Sequence, residues 1–113
     1  MNDGTAHWLR QRITAIAMVP LTFWFVWSST HLFTFDRAGF QSWLNQHYYM
    51  NLILFVIFIS TLFYHMKLGV QVVIEDYVHS ESVHNLALRC NTVFAAIFCS
   101  AAVISLLQIT FGA

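Results

Sequence analysis

Between Ile13 and Phe35 the chain carries no Asp, Glu, Lys or Arg, and between Cys90 and Ala113 it again carries none. A third apolar run, from Tyr48 to Ile74, holds a single charged side chain, Lys67. A helix needs about 20 apolar residues to cross the hydrocarbon core of a bilayer, a barrel strand only about 9–11. In hydrocarbon the backbone must satisfy its own hydrogen bonds, so runs of this length read as helices. The expectation is an all-α membrane protein with one transmembrane domain over residues 1–113. Its three helices are expected near 13–35, 48–74 and 90–111, after a short polar head at 1–12. Gln41 to His47 reads as a polar connector and Glu75 to Arg89 as a polar loop. Pro20 predicts a kink in the first helix, tolerated where neighbouring helices re-satisfy the freed carbonyl.

Composition agrees with this reading. Only 9% of residues are charged, against about a quarter in a soluble domain. Five basic and five acidic side chains cancel, which gives no support for nucleic-acid binding, since that wants a basic surface. The first apolar run is too long for a secretory signal and lacks a small-residue cleavage site, and no Arg- and Ser-rich transit peptide is present. Cys90 and Cys99 lie nine residues apart in one helix, a spacing that cannot bridge, and read as small packing residues. Without a Cys-x-x-Cys-His motif, any haem would be held non-covalently.

Three spans put the termini on opposite sides, and basic residues decide the orientation. Arg10, Arg12 and Arg89 lie on the N-terminal side, and Lys67 can snorkel towards it; Arg37 alone lies on the other. The N-terminus is therefore expected in the cytoplasm, with the chain in a bacterial inner membrane, or in the matrix if the membrane is the mitochondrial inner one. Trp43, Tyr48 and Tyr49 are expected in the outer aromatic belt. A three-helix chain has little interior of its own. His31, Asn51, Ser60, Thr61, His65, Lys67 and Gln71 need partners that hydrocarbon does not offer. Assembly with another membrane subunit follows.

The chemistry concentrates in the stretch His65 to His79. His65 reads either as an intramembrane histidine hydrogen-bonded to a neighbouring helix or as an axial ligand of haem b. Haem b in a bundle takes two imidazoles at one height. At the helical rise His65 lies about 15 Å in from the cytoplasmic end, while His31 is roughly 12 Å deeper. His47 falls at the outer surface, and His7, His79 and His84 at or beyond the inner one. No intrachain pair fits, so a second ligand would come from another polypeptide. Gly69, one turn on, leaves a notch for a neighbour or a flat cofactor. Asp76, eleven residues after His65, returns to within roughly 20° of its face, about 16 Å further along.

Glu75, Asp76 and Tyr77 read as a solvated helix end or as a quinone site. Acids at a helix C-terminus oppose the macrodipole, whereas a phenol can donate to a quinone carbonyl and a carboxylate can relay protons. Arg12 reads as a topology anchor or as the partner of a buried anion such as a haem propionate.

Taken together, His65, Gly69, Gln71-Val72-Val73-Ile74 and Asp76-Tyr77-Val78 resemble the signature of the smaller membrane-anchor subunit (the D subunit, cytochrome b556 type) of succinate dehydrogenase, respiratory complex II. Arg12-Ile13-Thr14-Ala15-Ile16 resembles that subunit's Arg-x-Thr-Ala-Ile stretch. Length, span number and orientation agree over essentially the whole chain. The resemblance implies half of a helical bundle, completed by a larger cytochrome b anchor subunit, docking an iron–sulfur and a flavoprotein subunit to the bilayer. It implies His65 as one axial ligand of a shared b-type haem and Tyr77 as a hydrogen-bond partner of ubiquinone, with Asp76 in the same region. Arg12 would lie near the haem propionates and the quinone pocket. Such a chain is not an enzyme alone. The loop His79-Ser80-Glu81-Ser82-Val83-His84 is longer than in some relatives. Two other readings remain: a haem-free anchor of the same complex, and a proton-conducting or structural membrane subunit in which His65 and Asp76 line a water path.

Overall fold

The computed structural model describes residues 3–112 as three helices: α1 (Asp3–Leu32), α2 (Arg37–Tyr77) and α3 (Glu81–Phe111). All three are long and apolar enough to cross a membrane. Among the described residues no strand is present. α2 is central and packs against both α1 and α3; among the described residues the backbones of α1 and α3 do not come into contact.

Every helix is longer than the apolar pattern predicts, because polarity marks where hydrocarbon ends and not where a helix ends. The polar head is helical from Asp3, and α1 runs unbroken through Pro20. The expected loop after Ile74 shrinks to Val78–Ser80: α2 continues to Tyr77, where the Val78 N–H bonds to Ile74 O at 2.9 Å, and α3 starts at Glu81. An acid in that first turn suits the positive end of the helix dipole. The expected connector is helical too. Asp36 caps it by accepting from the Gly39 N–H at 2.7 Å, and Phe40, Trp43 and Leu44, spaced three and four apart, turn inwards against the core.

The backbone break falls at Gln46–Tyr49, well away from Pro20. His47, Tyr48 and Tyr49 all have positive φ (53°, 57° and 65°), a region that costs L-residues about 1–2 kcal/mol each. At 1.5 Å per residue a straight helix of α2's 41 residues would reach about 61 Å, and the molecule is 50 Å in its longest dimension. The break folds the first segment over the end of the bundle. Asn51 Nδ2 donates back across it to Trp43 O at 2.8 Å. Gln41 Nε2 donates to Thr110 O and Gly112 O at 3.2 and 3.1 Å, tying the segment to the end of α3.

The core lies at this far end. Trp43, Leu44, Leu52 and Leu106 are buried, with Trp24, Phe40 and Phe55 around them. Trp43 stacks on Trp24 and Phe40 at 5.9 and 6.0 Å. Trp43 is therefore a core residue and not part of an aromatic belt. Tyr48, by contrast, is 97% exposed. At most 11% of each apolar span is buried within the chain, so most of the helical surface is left for lipid or other polypeptides.

Candidate functional site

The head end of the molecule, where the start of α1 meets the last turns of α2, is polar where the far end is aromatic. His65, half-buried on α2, has its Nδ1 2.8 Å from Thr14 Oγ1 on α1. Thr14 Oγ1 is also 2.8 Å from Arg10 O and 3.1 Å from Gln11 O. Among the described residues His65 Nε2 makes no hydrogen bond. One turn nearer the head, Gln11 Nε2 lies 3.9 Å from where a Cβ on Gly69 would stand. The notch at Gly69 is thus faced by a neighbouring side chain at ordinary contact distance. Beyond it a cavity of about 210 Å³ opens between Gly4 and His7 of α1 and Gln71 and Glu75 of α2. Gln71 Nε2 donates to Glu75 Oε1 at 3.0 Å. Among the described residues His7 Nε2 and Gln11 Oε1 are buried without a hydrogen-bond partner, a state that costs each about 1–3 kcal/mol unless water or another group reaches it.

His65 is therefore engaged by one nitrogen and has the other to offer, which suits a metal ligand and a membrane-buried hydrogen bond alike. The structure does not bring it against Asp76 or Tyr77. Both are exposed, Tyr77 at 77%. Relative to His65, Tyr77 points about 120° round the helix, while Gln71 and Glu75, which meet α1, lie about 80–120° the other way. The Tyr77 hydroxyl thus faces away from α1. Arg12 is exposed and lies over its own helix's Trp8, 5.2 Å from the ring centroid.

His31 lines a separate far-end cavity of about 480 Å³ with His47 and Trp43, and it takes no part in the His65 neighbourhood. A cavity of about 880 Å³ also lies at the far end, lined by Phe and Leu side chains of α1, α2 and the 33–36 connection, by Asp36 and Arg37, and by Ser105, Gln108 and Ile109 of α3. It holds no histidine, and size alone does not make it the functional site. Among the described residues no group of three or more metal-ligating side chains exists; an axial haem site draws on one residue per helix. Cys90 and Cys99 are free thiols.

Sequence reasoning missed Thr14, Gln11 and His7. Their spacing of three and four residues places them on one face of α1. That stripe of polar residues, running into an otherwise apolar span, was the available signal.

Three membrane-crossing helices, a half-buried imidazole on the middle one and an exposed acid–phenol pair at its end define an integral membrane protein that presents its chemistry to something outside the chain. The chain belongs to the succinate dehydrogenase/fumarate reductase transmembrane subunit family, whose profile matches residues 1–104. It is 35% identical over 98 residues to the succinate dehydrogenase hydrophobic membrane anchor subunit of Rickettsia bellii (strain RML369-C), covering 82% of this chain and 73% of that protein. It is 26% identical over 111 residues to the protein of the same description in Rickettsia typhi (strain ATCC VR-144 / Wilmington), covering 96% and 82%. The succinate dehydrogenase membrane anchor subunit of Reclinomonas americana is 28% identical over 87 residues, covering 76% and 72%. No solved structure matches the chain significantly.

Proposed function

We propose that this chain is the small membrane anchor of a succinate:quinone oxidoreductase, holding half of a b-type haem site and one wall of a ubiquinone site. The observation that carries the reading is His65, a half-buried imidazole fixed through Nδ1 to a second helix, with Nε2 making no hydrogen bond among the described residues. A neutral imidazole with a free ring nitrogen is a competent axial donor. No second histidine of this chain stands beside it, so the other ligand belongs to a larger anchor subunit packed on the uncovered helical surface. The haem supplies a one-electron acceptor within the membrane. His65 would hold and orient it, and the apolar spans would keep water away.

About 16 Å along α2, Asp76 and Tyr77 stand at the membrane boundary. The Tyr77 hydroxyl binds a ubiquinone carbonyl by donating to it, and the Asp76 carboxylate passes protons to the reduced ring. The exposure of both residues fits a pocket completed by the iron–sulfur subunit, with the flavoprotein beyond it. Arg12 at the same end is the candidate partner for propionate. To reach one, its guanidinium would exchange the cation–π contact with Trp8 for a charge-assisted hydrogen bond.

The test is to purify the native complex through a tag on this chain. Co-purification of a flavoprotein, an iron–sulfur protein and a larger anchor, with a reduced-minus-oxidised b-type spectrum, is the expected result. The same partners without haem would leave a docking anchor only, and the absence of soluble partners would end the reading.

Orientation has its own test; the excess of basic residues on the N-terminal side supports an N-terminus in the cytoplasm or matrix. With Cys90 and Cys99 replaced, single cysteines at Asn2 and Ala113 are expected to label from opposite sides. The C-terminal one should react with an impermeant reagent from outside. Reaction of the N-terminal one instead would put Tyr77 on the wrong side for the soluble subunits.

A further inference from the structure

We infer that Thr14 is a positioning residue for the haem, because its hydroxyl fixes the His65 tautomer that leaves Nε2 unprotonated. The inference rests on His65 being the ligand, as proposed above, and adds the group that makes it one.

The hydroxyl has one hydrogen and two lone pairs. Around Thr14 Oγ1 stand two carbonyl oxygens, Arg10 O at 2.8 Å and Gln11 O at 3.1 Å, and one ring nitrogen, His65 Nδ1 at 2.8 Å. Carbonyl oxygens only accept. If the hydroxyl hydrogen pointed at Nδ1, Oγ1 would face Arg10 O at hydrogen-bond distance with no hydrogen between them. The consistent assignment sends the hydrogen back to the carbonyls of the preceding turn, as helical threonines commonly do. Oγ1 then accepts from Nδ1–H. A neutral imidazole has a single ring N–H, so Nε2 keeps its lone pair. Metal-bound histidines generally donate their other N–H to an oxygen in this way, which fixes both the tautomer and the ring orientation.

The two helices divide the labour. α2 supplies the donor atom, and α1 decides which nitrogen it is. Thr14 sits between Arg12 and Ile16, so one turn of α1 would carry both the candidate propionate partner and the residue that sets the ligand.

The experiment uses the assembled complex carrying Thr14→Val, Thr14→Ser or His65→Ala. It reads the low-spin electron paramagnetic resonance signal of the oxidised haem and the rate of haem loss in detergent. Valine keeps the shape of threonine without the acceptor. The expected result for Thr14→Val is a shifted low-spin signal, since the ring is free to turn, and haem loss faster by about ten-fold or more, the usual effect of removing such a partner. Thr14→Ser, which retains the hydroxyl, is expected to behave as wild type; a shifted signal there would show that the hydroxyl is not what matters. If Thr14→Val does not assemble, Thr14→Cys takes its place, similar in size with a weakly accepting sulfur. A wild-type signal and haem retention in Thr14→Val, or in Thr14→Cys where that stands in, would overturn the inference. Provided that His65→Ala loses the signal, the ligand assignment would survive it. An unchanged signal in His65→Ala would remove both.

Discussion

His65→Ala is expected to abolish the six-coordinate low-spin haem spectrum of the complex, leaving haem five-coordinate or absent. Among the described residues no other imidazole stands beside it, so no neighbour of this chain replaces it. The fold should survive. Thr14 keeps its hydrogen bonds to Arg10 O and Gln11 O, and the lost interhelical bond is worth about 0.5–1.5 kcal/mol. Co-purification of the soluble subunits with His65→Ala would therefore separate a ligation defect from an assembly defect. His31→Ala serves as the control. His31 belongs to the far-end cavity with His47, and its loss should leave the spectrum unchanged. A normal low-spin spectrum in His65→Ala would exclude it as a ligand.

The three spans were readable because charge is so costly in hydrocarbon that its absence over 20 residues has few other meanings. Their ends were not. Residues such as Asp3, Gln41, Glu81 and His84 are polar and helical at once, because a helix continues past the hydrocarbon for as long as its caps and packing hold. The Asp36 cap and the inward spacing of Phe40, Trp43 and Leu44 were present as signals, but a polar composition outweighed them. The break at Gln46–Tyr49 had no local signature, neither Gly nor Pro. A hydrogen bond from Asn51 across it to Trp43 and long-range ones from Gln41 to the end of α3 hold the segments either side of it, and the latter depend on tertiary structure. In the site, His65 stood out as a histidine in an apolar run. Thr14 did not, because a threonine in a membrane helix ordinarily bonds its own preceding turn. Its second role exists only once α2 lies alongside.

The helix geometry that left Tyr77 pointing away from α1 also defines what replacing it should do. Tyr77→Phe keeps the ring and removes only the hydroxyl. Since Tyr77 is 77% exposed in this chain, the substitution disturbs no packing within it, and a fall in activity would report on the hydroxyl's partner. A neutral hydrogen bond contributes about 0.5–1.5 kcal/mol, and one to a charged acceptor about 1.5–3 kcal/mol. Reduction places negative charge on the quinone oxygen, so the bond strengthens along the reaction and its loss weighs on the transition state more than on bound quinone. At about 1.4 kcal/mol per decade, succinate-dependent ubiquinone reduction should fall by roughly ten-fold or more. Succinate oxidation with an artificial acceptor that draws electrons from the soluble subunits should stay near wild type, as should haem content. Asp76→Asn removes a carboxylate that relays protons on this reading, so its defect should deepen as pH rises and protons become scarce. Unimpaired ubiquinone reduction by Tyr77→Phe, at limiting as well as saturating quinone, would show that the hydroxyl does not bind the substrate, and the quinone pocket would then have to be sought on another face of α2.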